Sequence, residues 1–352
     1  MISVFAWILG LLLFGAALGM AYQYVGTARD QKRYAPPGRM VDLGSHRLHL
    51  YETGTGGPTI VMESGLMSTV LSWTELQRGL SKSFRVVSYD RAGLGWSELG
   101  PMPRTAERIV DELHLALGKA DIKPPYILIG HSFGGLLMPL FAARYPDEVT
   151  GMVLIDAVVP AEWDPPTEQD ARNSRIGAQV CRRAAVLARI GVIRLVAALL
   201  DSPLKKIAGH LVRLISRGTP SNAGTVSSPW FFALPREERA MAPIFWIQPK
   251  FALTIASQLE NLPLSAKQVE EHQQFCAKKV IFLTAGSSSV RRRNGHAAIA
   301  ARLPDGEHIR VDESNHWIMQ NRPEVVIRAI ESVLRAAESS PAEAPASAAH
   351  QA

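Results

Sequence analysis

From Thr59 to Asp156 the sequence alternates short apolar runs with segments of helical spacing, and this rhythm limits the folds open to the chain. TIVME at 59–63, RVVSY at 85–89, YILI at 126–129 and MVLID at 152–156 have the length of buried strands. Between them, TAERIVDELHLALGKA at 105–120 and GLLMPLFAARYP at 135–146 repeat apolar residues at helical intervals. VIFLT at 280–284 and HIRVD at 308–312 resume the strand pattern. Further upstream, MVDL at 40–43 and RLHLYE at 47–52 flank Gly44-Ser45 as a hairpin. Strands alternating with helices predict an α/β fold, a mostly parallel sheet covered on both faces. With 352 residues, 47% of them hydrophobic, the chain can bury one large core and still carry an insertion.

The ends and the middle break this rhythm. Ile2 to Tyr22 is a run of 21 residues without a charge, long enough to cross a hydrocarbon core as one helix. No Lys or Arg precedes it, which favours an uncleaved single-pass anchor over 1–25, although Gly19 and Ala21 would also serve a signal cleavage site. Arg29, Lys32 and Arg33 follow the span and put the large domain on the cytoplasmic side by the positive-inside rule. A linker is expected over 26–37, then a first core segment over 38–159, a helical cap over 160–278, a second core segment over 279–337 and a disordered tail over 338–352. The cap is basic: between Arg172 and Arg217 there are ten Lys or Arg and one acid, Asp201. Within it, Lys206, His210, Arg213 and Arg217 share one helical face opposite Ile207, Leu211, Leu214 and Ile215. That segment reads either as a cap helix with its oily side over a site or as an interfacial helix on anionic lipid.

A net charge of +6 raises the question of nucleic acid, but zinc-ligand spacing, a helix-turn-helix signature and aromatic–basic interleaving are all absent from the sequence. The distribution of the basic residues favours a membrane surface instead. Cys181 and Cys276 show no CxxC spacing and imply neither a metal site nor a disulfide framework; two buried thiols or a single bridge both remain open. Without a Walker loop or a GxGxxG turn, no nucleotide, metal or other cofactor is expected.

Chemistry enters at Gly130-His131-Ser132-Phe133-Gly134-Gly135, directly after the YILI strand. A serine on a sharp strand-to-helix turn is forced into a strained backbone conformation, and glycines at 130 and 134 let strand and helix approach closely. Serine needs a neighbouring base. HIRVDESNHW places His316 a few residues past the last strand, with a helix from about Pro323 closing the domain. His131 sits inside the turn pointing away from Ser132, and His210 and His296 lack a strand end behind them.

With the turn, the SNHW histidine and YDRAGLGWSE at 89–98, the chain from about 38 to 337 resembles the α/β-hydrolases, specifically a bacterial serine hydrolase branch. The resemblance implies eight strands, a cap after the sixth and a triad in the order Ser, acid, His. It also makes Asp90 and Arg91 stabilisers of their loop rather than catalytic groups. Many relatives carry an aspartate after strand seven, where this sequence has Ser287, Ser288 and Ser289 and no carboxylate before Asp305. Asp156, closing strand six, can reach the same histidine as in lipase variants of the fold; Asp305, Asp312 and Glu313 are the alternatives. For the oxyanion, the turn offers the Phe133 N–H, and Glu63-Ser64-Gly65-Leu66-Met67 resembles the family's oxyanion loop, making the Leu66 N–H the second donor.

The expected activity is hydrolysis of a carboxylic ester through an acyl-serine, carboxylesterase or lipase-like, with a hydrophobic or lipid-like small-molecule substrate. The expected further partner is membrane lipid, through the N-terminal helix and the basic cap. An acyltransferase or peptidase with the same triad and a catalytically silent binding protein stay open, as does the oligomeric state.

Overall fold

The computed structural model describes residues 2–200, 202–206, 209–210, 234, 236–272 and 279–339. Eight strands form one sheet: β1 (Arg39–Asp42), β2 (Arg47–Thr53), β3 (Thr59–Glu63), β4 (Val86–Asp90), β5 (Tyr126–His131), β6 (Val149–Ile155), β7 (Lys279–Ala285) and β8 (Gly306–Val311). Their order is β1-β2-β4-β3-β5-β6-β7-β8. β1 with β2 and β2 with β4 pair antiparallel, and every other pairing is parallel. The alternation read from the sequence therefore gives the expected sheet, hairpin included.

Period-two alternation sorts the strand side chains onto two helical layers. Val61, Val87, Leu128, Leu154 and Phe282 face a core built with α3 (Ala106–Lys119) and α4 (Phe133–Arg144). Ile60, Ile129, Val153, Ile281 and Val311 face the opposite core, with α2 (Thr74–Leu80), α11 (Ile318–Asn321) and α12 (Pro323–Ser339). Strands buried on both faces explain why the runs read as continuously apolar.

Between β6 and β7 lie α5 (Glu168–Arg189), α6 (Val192–Leu200), α7 (Arg236–Trp246), α8 (Pro249–Glu260) and α9 (Leu262–Glu271), and α10 (Val290–Ala300) follows β7. The last of the inserted helices joins the core, since the Ser265 hydroxyl accepts from the Ala106 N–H at the start of α3. Most of the amphipathic segment 205–217, like Cys276, lies outside the described residues. Cys181 is a free thiol.

At the N-terminus the expected span and the first part of the expected linker share one helix. α1 (Ile2–Arg33) is one helix, so most of 26–37 is helical, because nothing stronger than Gly26 interrupts it before Pro36-Pro37. Its large apolar side chains from Val4 to Leu18 are exposed. α12 likewise runs to Ser339, past the expected start of the tail at 338.

The packing predicts Ile129→Ala, a truncation in a fully buried central strand, to lower the free energy of unfolding by about 2–5 kcal/mol in urea titration. Leu115→Ala, at a half-exposed position of α3, is expected to shift it by less than about 0.5 kcal/mol.

Candidate active site

β5 ends at His131 and α4 begins at Phe133, leaving Ser132 alone to make the turn with φ 53° and ψ −117°. This conformation costs about 1–3 kcal/mol and persists only where neighbours fix it. Here the Ser132 N–H donates to the Ile155 carbonyl at 3.0 Å, and its carbonyl accepts from the Gly135 and Val158 N–H groups at 3.0 and 2.9 Å. A Cβ on Gly130 would stand 2.7 Å from the Gly134 carbonyl oxygen, and one on Gly134 would stand 2.3 Å from that of Glu63. Neither position has room for a side chain, which is the reason for glycine read from the sequence.

Asp156 follows the end of the neighbouring strand β6, also at positive φ, 43°. His316 comes from the loop after β8, and its Nδ1–H donates to Asp156 Oδ2 at 2.6 Å. That bond fixes the tautomer and leaves Nε2 as the free, basic nitrogen. Among the described residues no hydrogen bond joins the Ser132 hydroxyl to the imidazole; such bonds commonly form only once substrate is bound. Asp305 instead pairs with Lys279, Asp312 with Arg310 and Glu313 with Arg322, so the alternative acids are engaged elsewhere.

The Asp156 carboxylate is almost fully buried, and every approach to it is polar. Oδ1 accepts from the Ala285 N–H at 3.2 Å and from the Ser288 hydroxyl, and Arg292 stands 3.4 Å from Oδ2. Burial alone would raise its pKa; the His316 hydrogen bond, the Arg292 charge and the Ser288 hydroxyl outweigh it and hold the group well below the usual carboxylate range. Arg292 is itself doubly bonded to Glu162, at 2.9 Å on each oxygen. Ser288 thus stands where the relatives' acid was expected, and hydrogen-bonds an acid that comes from another strand.

The loop Glu63–Met67 is held from below. Arg91, fully buried, donates to the Ser64 and Gly65 carbonyls at 2.6 and 2.5 Å and to Glu63 Oε1 at 2.5 Å. The Tyr89 hydroxyl donates to the other Glu63 oxygen, and the Arg91 guanidinium lies over the Phe133 ring at 5.3 Å. The preceding carbonyls are turned toward Arg91, and Leu66 is partly buried against the core that includes Phe133; Phe133 opens α4 and so has an N–H free of helical partners.

Two further histidines support the site. His131 is buried, and its Nε2–H donates to the His316 carbonyl at 2.9 Å; burial holds its pKa well below the ordinary value. His296, which has no role legible in the sequence, is buried on α10: its Nε2–H donates to the Ala157 carbonyl at 2.8 Å and its Nδ1 accepts from Thr284 at 2.6 Å. It braces the residue after Asp156. The sequence signal for His296, Arg292 and Ser288 is only their nearness to β7; their partners lie about 130 residues away, beyond the reach of local pattern.

The sheet order and the helices inserted between β6 and β7 are those of the α/β-hydrolase fold. Residues 58–180 match the family described as the alpha/beta hydrolase fold. In sequence the chain is 38% identical over 106 residues to the uncharacterized protein YqjL of Bacillus subtilis, covering 30% of this chain and 42% of that one. The chain therefore spans less than half the length of that relative. In structure it is similar to a thermophilic esterase from Thermogutta terrifontis, with TM-score 0.59 and 19% identity over 85% of this chain and 98% of that one. It is also similar to the enol-lactonase from Burkholderia xenovorans LB400, with TM-score 0.57 and 19% identity over 84% of this chain and all of that one.

Burial lowers the His296 pKa from 6.5 to about 4, so the unfolded chain binds a proton first and stability falls as pH drops from 6.5 toward 4. Thermal melts of wild type and His296→Gln between pH 7 and 5 are expected to show a wild-type loss about 2 kcal/mol larger than that of the variant.

Proposed function

We propose that this protein is a serine hydrolase that cleaves a carboxylic ester through an acyl-serine. The observation that carries the reading is the 2.6 Å bond from His316 Nδ1 to a buried, ionised Asp156 at the edge where Ser132 makes its strained turn. His316 Nε2 takes the Ser132 proton as Oγ attacks the ester carbonyl. The Phe133 and Leu66 N–H groups receive the oxyanion, and the intermediate collapses as His316 returns the proton to the departing alcohol. Water, deprotonated by the same nitrogen, then releases the acid and restores the serine. Asp156 stays ionised throughout and stabilises the imidazolium.

The walls of the site support an ester with one apolar and one polar side. Trp317, next to His316, packs with Leu71, Leu234, Ala242 and Phe245, an apolar wall suited to an acyl chain. On its other side His316 borders a cleft of about 560 Å³ lined by Trp163, Thr167, Ser287, Ser289 and Arg291, suited to a polar alcohol or head group. The esterase and lactonase likeness supports the same class of reaction. α1 supports a single-pass anchor, long and apolar enough to cross a bilayer and unburied along that stretch.

Intact-mass analysis after exposure to a fluorophosphonate tests the chemistry. One adduct is expected on the wild type and none on Ser132→Ala, with Asp156→Asn labelled roughly 10³- to 10⁴-fold more slowly. A folded wild type that takes no label would leave a binding protein on the hydrolase scaffold.

A further inference from the structure

α1 does not leave the domain as a free tether. Gly19, Gln23, Gly26, Thr27 and Asp30 recur at helical spacing on one face, and that face is seated on the inserted helices. A Cβ on Gly19 would lie 2.1 Å from the Ile190 carbonyl oxygen, and one on Gly191 would lie 2.5 Å from the Gly19 carbonyl oxygen, so the helix touches the α5–α6 turn backbone to backbone. Next along the face, Arg194 of α6 is nearly buried and reaches Gln23 Oε1 at 3.2 Å, Thr27 Oγ1 at 3.3 Å and Asp30 Oδ2 at 2.8 Å. Gln23 in turn donates to the Ile247 carbonyl at 3.3 Å. This latch fixes the height of the turn along α1.

That height coincides with a bilayer face. Residues 2–18, ahead of the contact, make a helix of about 25 Å, close to one hydrocarbon thickness of about 30 Å. Just beyond Gly19 come the exposed Tyr22 and Tyr24, side chains that favour the interface, and then Arg29, Lys32 and Arg33. The α5–α6 turn therefore sits where acyl chains meet headgroups. One helical turn to either side of it, Val186 and Leu195 are 59% and 50% exposed, and Arg183 and Arg189 are exposed beside them. Apolar side chains flanked by cations fit an anionic phospholipid surface.

We propose that the α5–α6 turn is a membrane-inserted tip, with Val186 and Leu195 at the acyl–headgroup boundary and Arg183 and Arg189 on lipid phosphates. The inference rests on the reading of α1 as an anchor. It makes the far end of the inserted helices part of the bilayer surface.

The test uses the full chain in vesicles of phosphatidylcholine and phosphatidylglycerol, with Cys181 and Cys276 replaced by serine and one cysteine carrying an environment-sensitive NBD fluorophore. Labels are placed at Val186→Cys, Leu195→Cys, Leu11→Cys within the span and Val290→Cys on exposed α10. Brominated lipids are expected to quench the labels at 11, 186 and 195 roughly threefold more than that at 290, as burial by 5–10 Å requires. Adding Gly19→Leu, which cannot keep the contact with Ile190, is expected to abolish quenching at 195 and spare it at 11. Quenching at 11 with none at 186 and 195 would overturn the tip and leave the anchor. Blue-shifted but unquenched labels at 186 and 195 would overturn it in favour of a second protein copy. No quenching at 11 would overturn anchor and tip together.

Discussion

The site is organised by the need to take one carboxylate, Asp156, out of water without leaving it unpaired. An isolated buried carboxylate would become protonated rather than stay charged, and a neutral acid could not stabilise an imidazolium. Four donors solve this problem. His316, Ser288 and Arg292 bring side chains, and Ala285 brings a backbone N–H at the end of β7. The arrangement depends on β6 and β7 lying side by side in parallel, so that the end of one strand faces the donors of the next.

Arg292 is the unusual partner. A cation beside the acid weakens that acid's hold on a second cation, the protonated histidine. Glu162 answers it, taking both guanidinium edges at 2.9 Å, so that Asp156, Arg292 and Glu162 together carry one negative charge. When His316 accepts a proton the cluster becomes neutral. An imidazolium formed during turnover therefore leaves no uncompensated charge at the base of the site.

Much of this was legible in the sequence, because the fold and the turn are written in local patterns. Strand lengths, the hairpin and the closing helix follow from apolar period and turn residues, and Gly130, Ser132 and Gly134 follow from strand-to-helix geometry. Asp156 was legible as the carboxylate at a strand end once the loop after β7 offered only serines. The supporting shell was not, because Arg292 with Glu162, His296 with Ala157, and His131 with the His316 carbonyl are long-range pairs that leave no local spacing. The extent of α1 is not marked by composition either. The change from apolar to charged residues after Tyr22 does not end a helix, and α1 runs on to Arg33, just short of Pro36.

The segment YDRAGLGWSE shows why one run of residues can matter at two distant places. Arg91 at its start holds the Ser64 and Gly65 carbonyls of the Glu63–Met67 loop. Trp96 near its end donates to the Tyr34 carbonyl at 2.9 Å, where the chain leaves α1, and its ring packs at 4.8 Å against Phe245 of α7. Between them Asp90 accepts from the Val70 and Trp96 N–H groups at 2.9 and 3.1 Å and from His49 at 2.8 Å, while His49 also bonds the Pro37 carbonyl. Each bond is short, yet together they run from the Glu63–Met67 loop to the end of the N-terminal helix. A helix joined to the core in this way cannot swing as a tether would. The buried aspartate that accepts from Val70 also accepts from the histidine bonded to the Pro37 carbonyl, so the point where the chain leaves α1 is tied to the core beside the Glu63–Met67 loop.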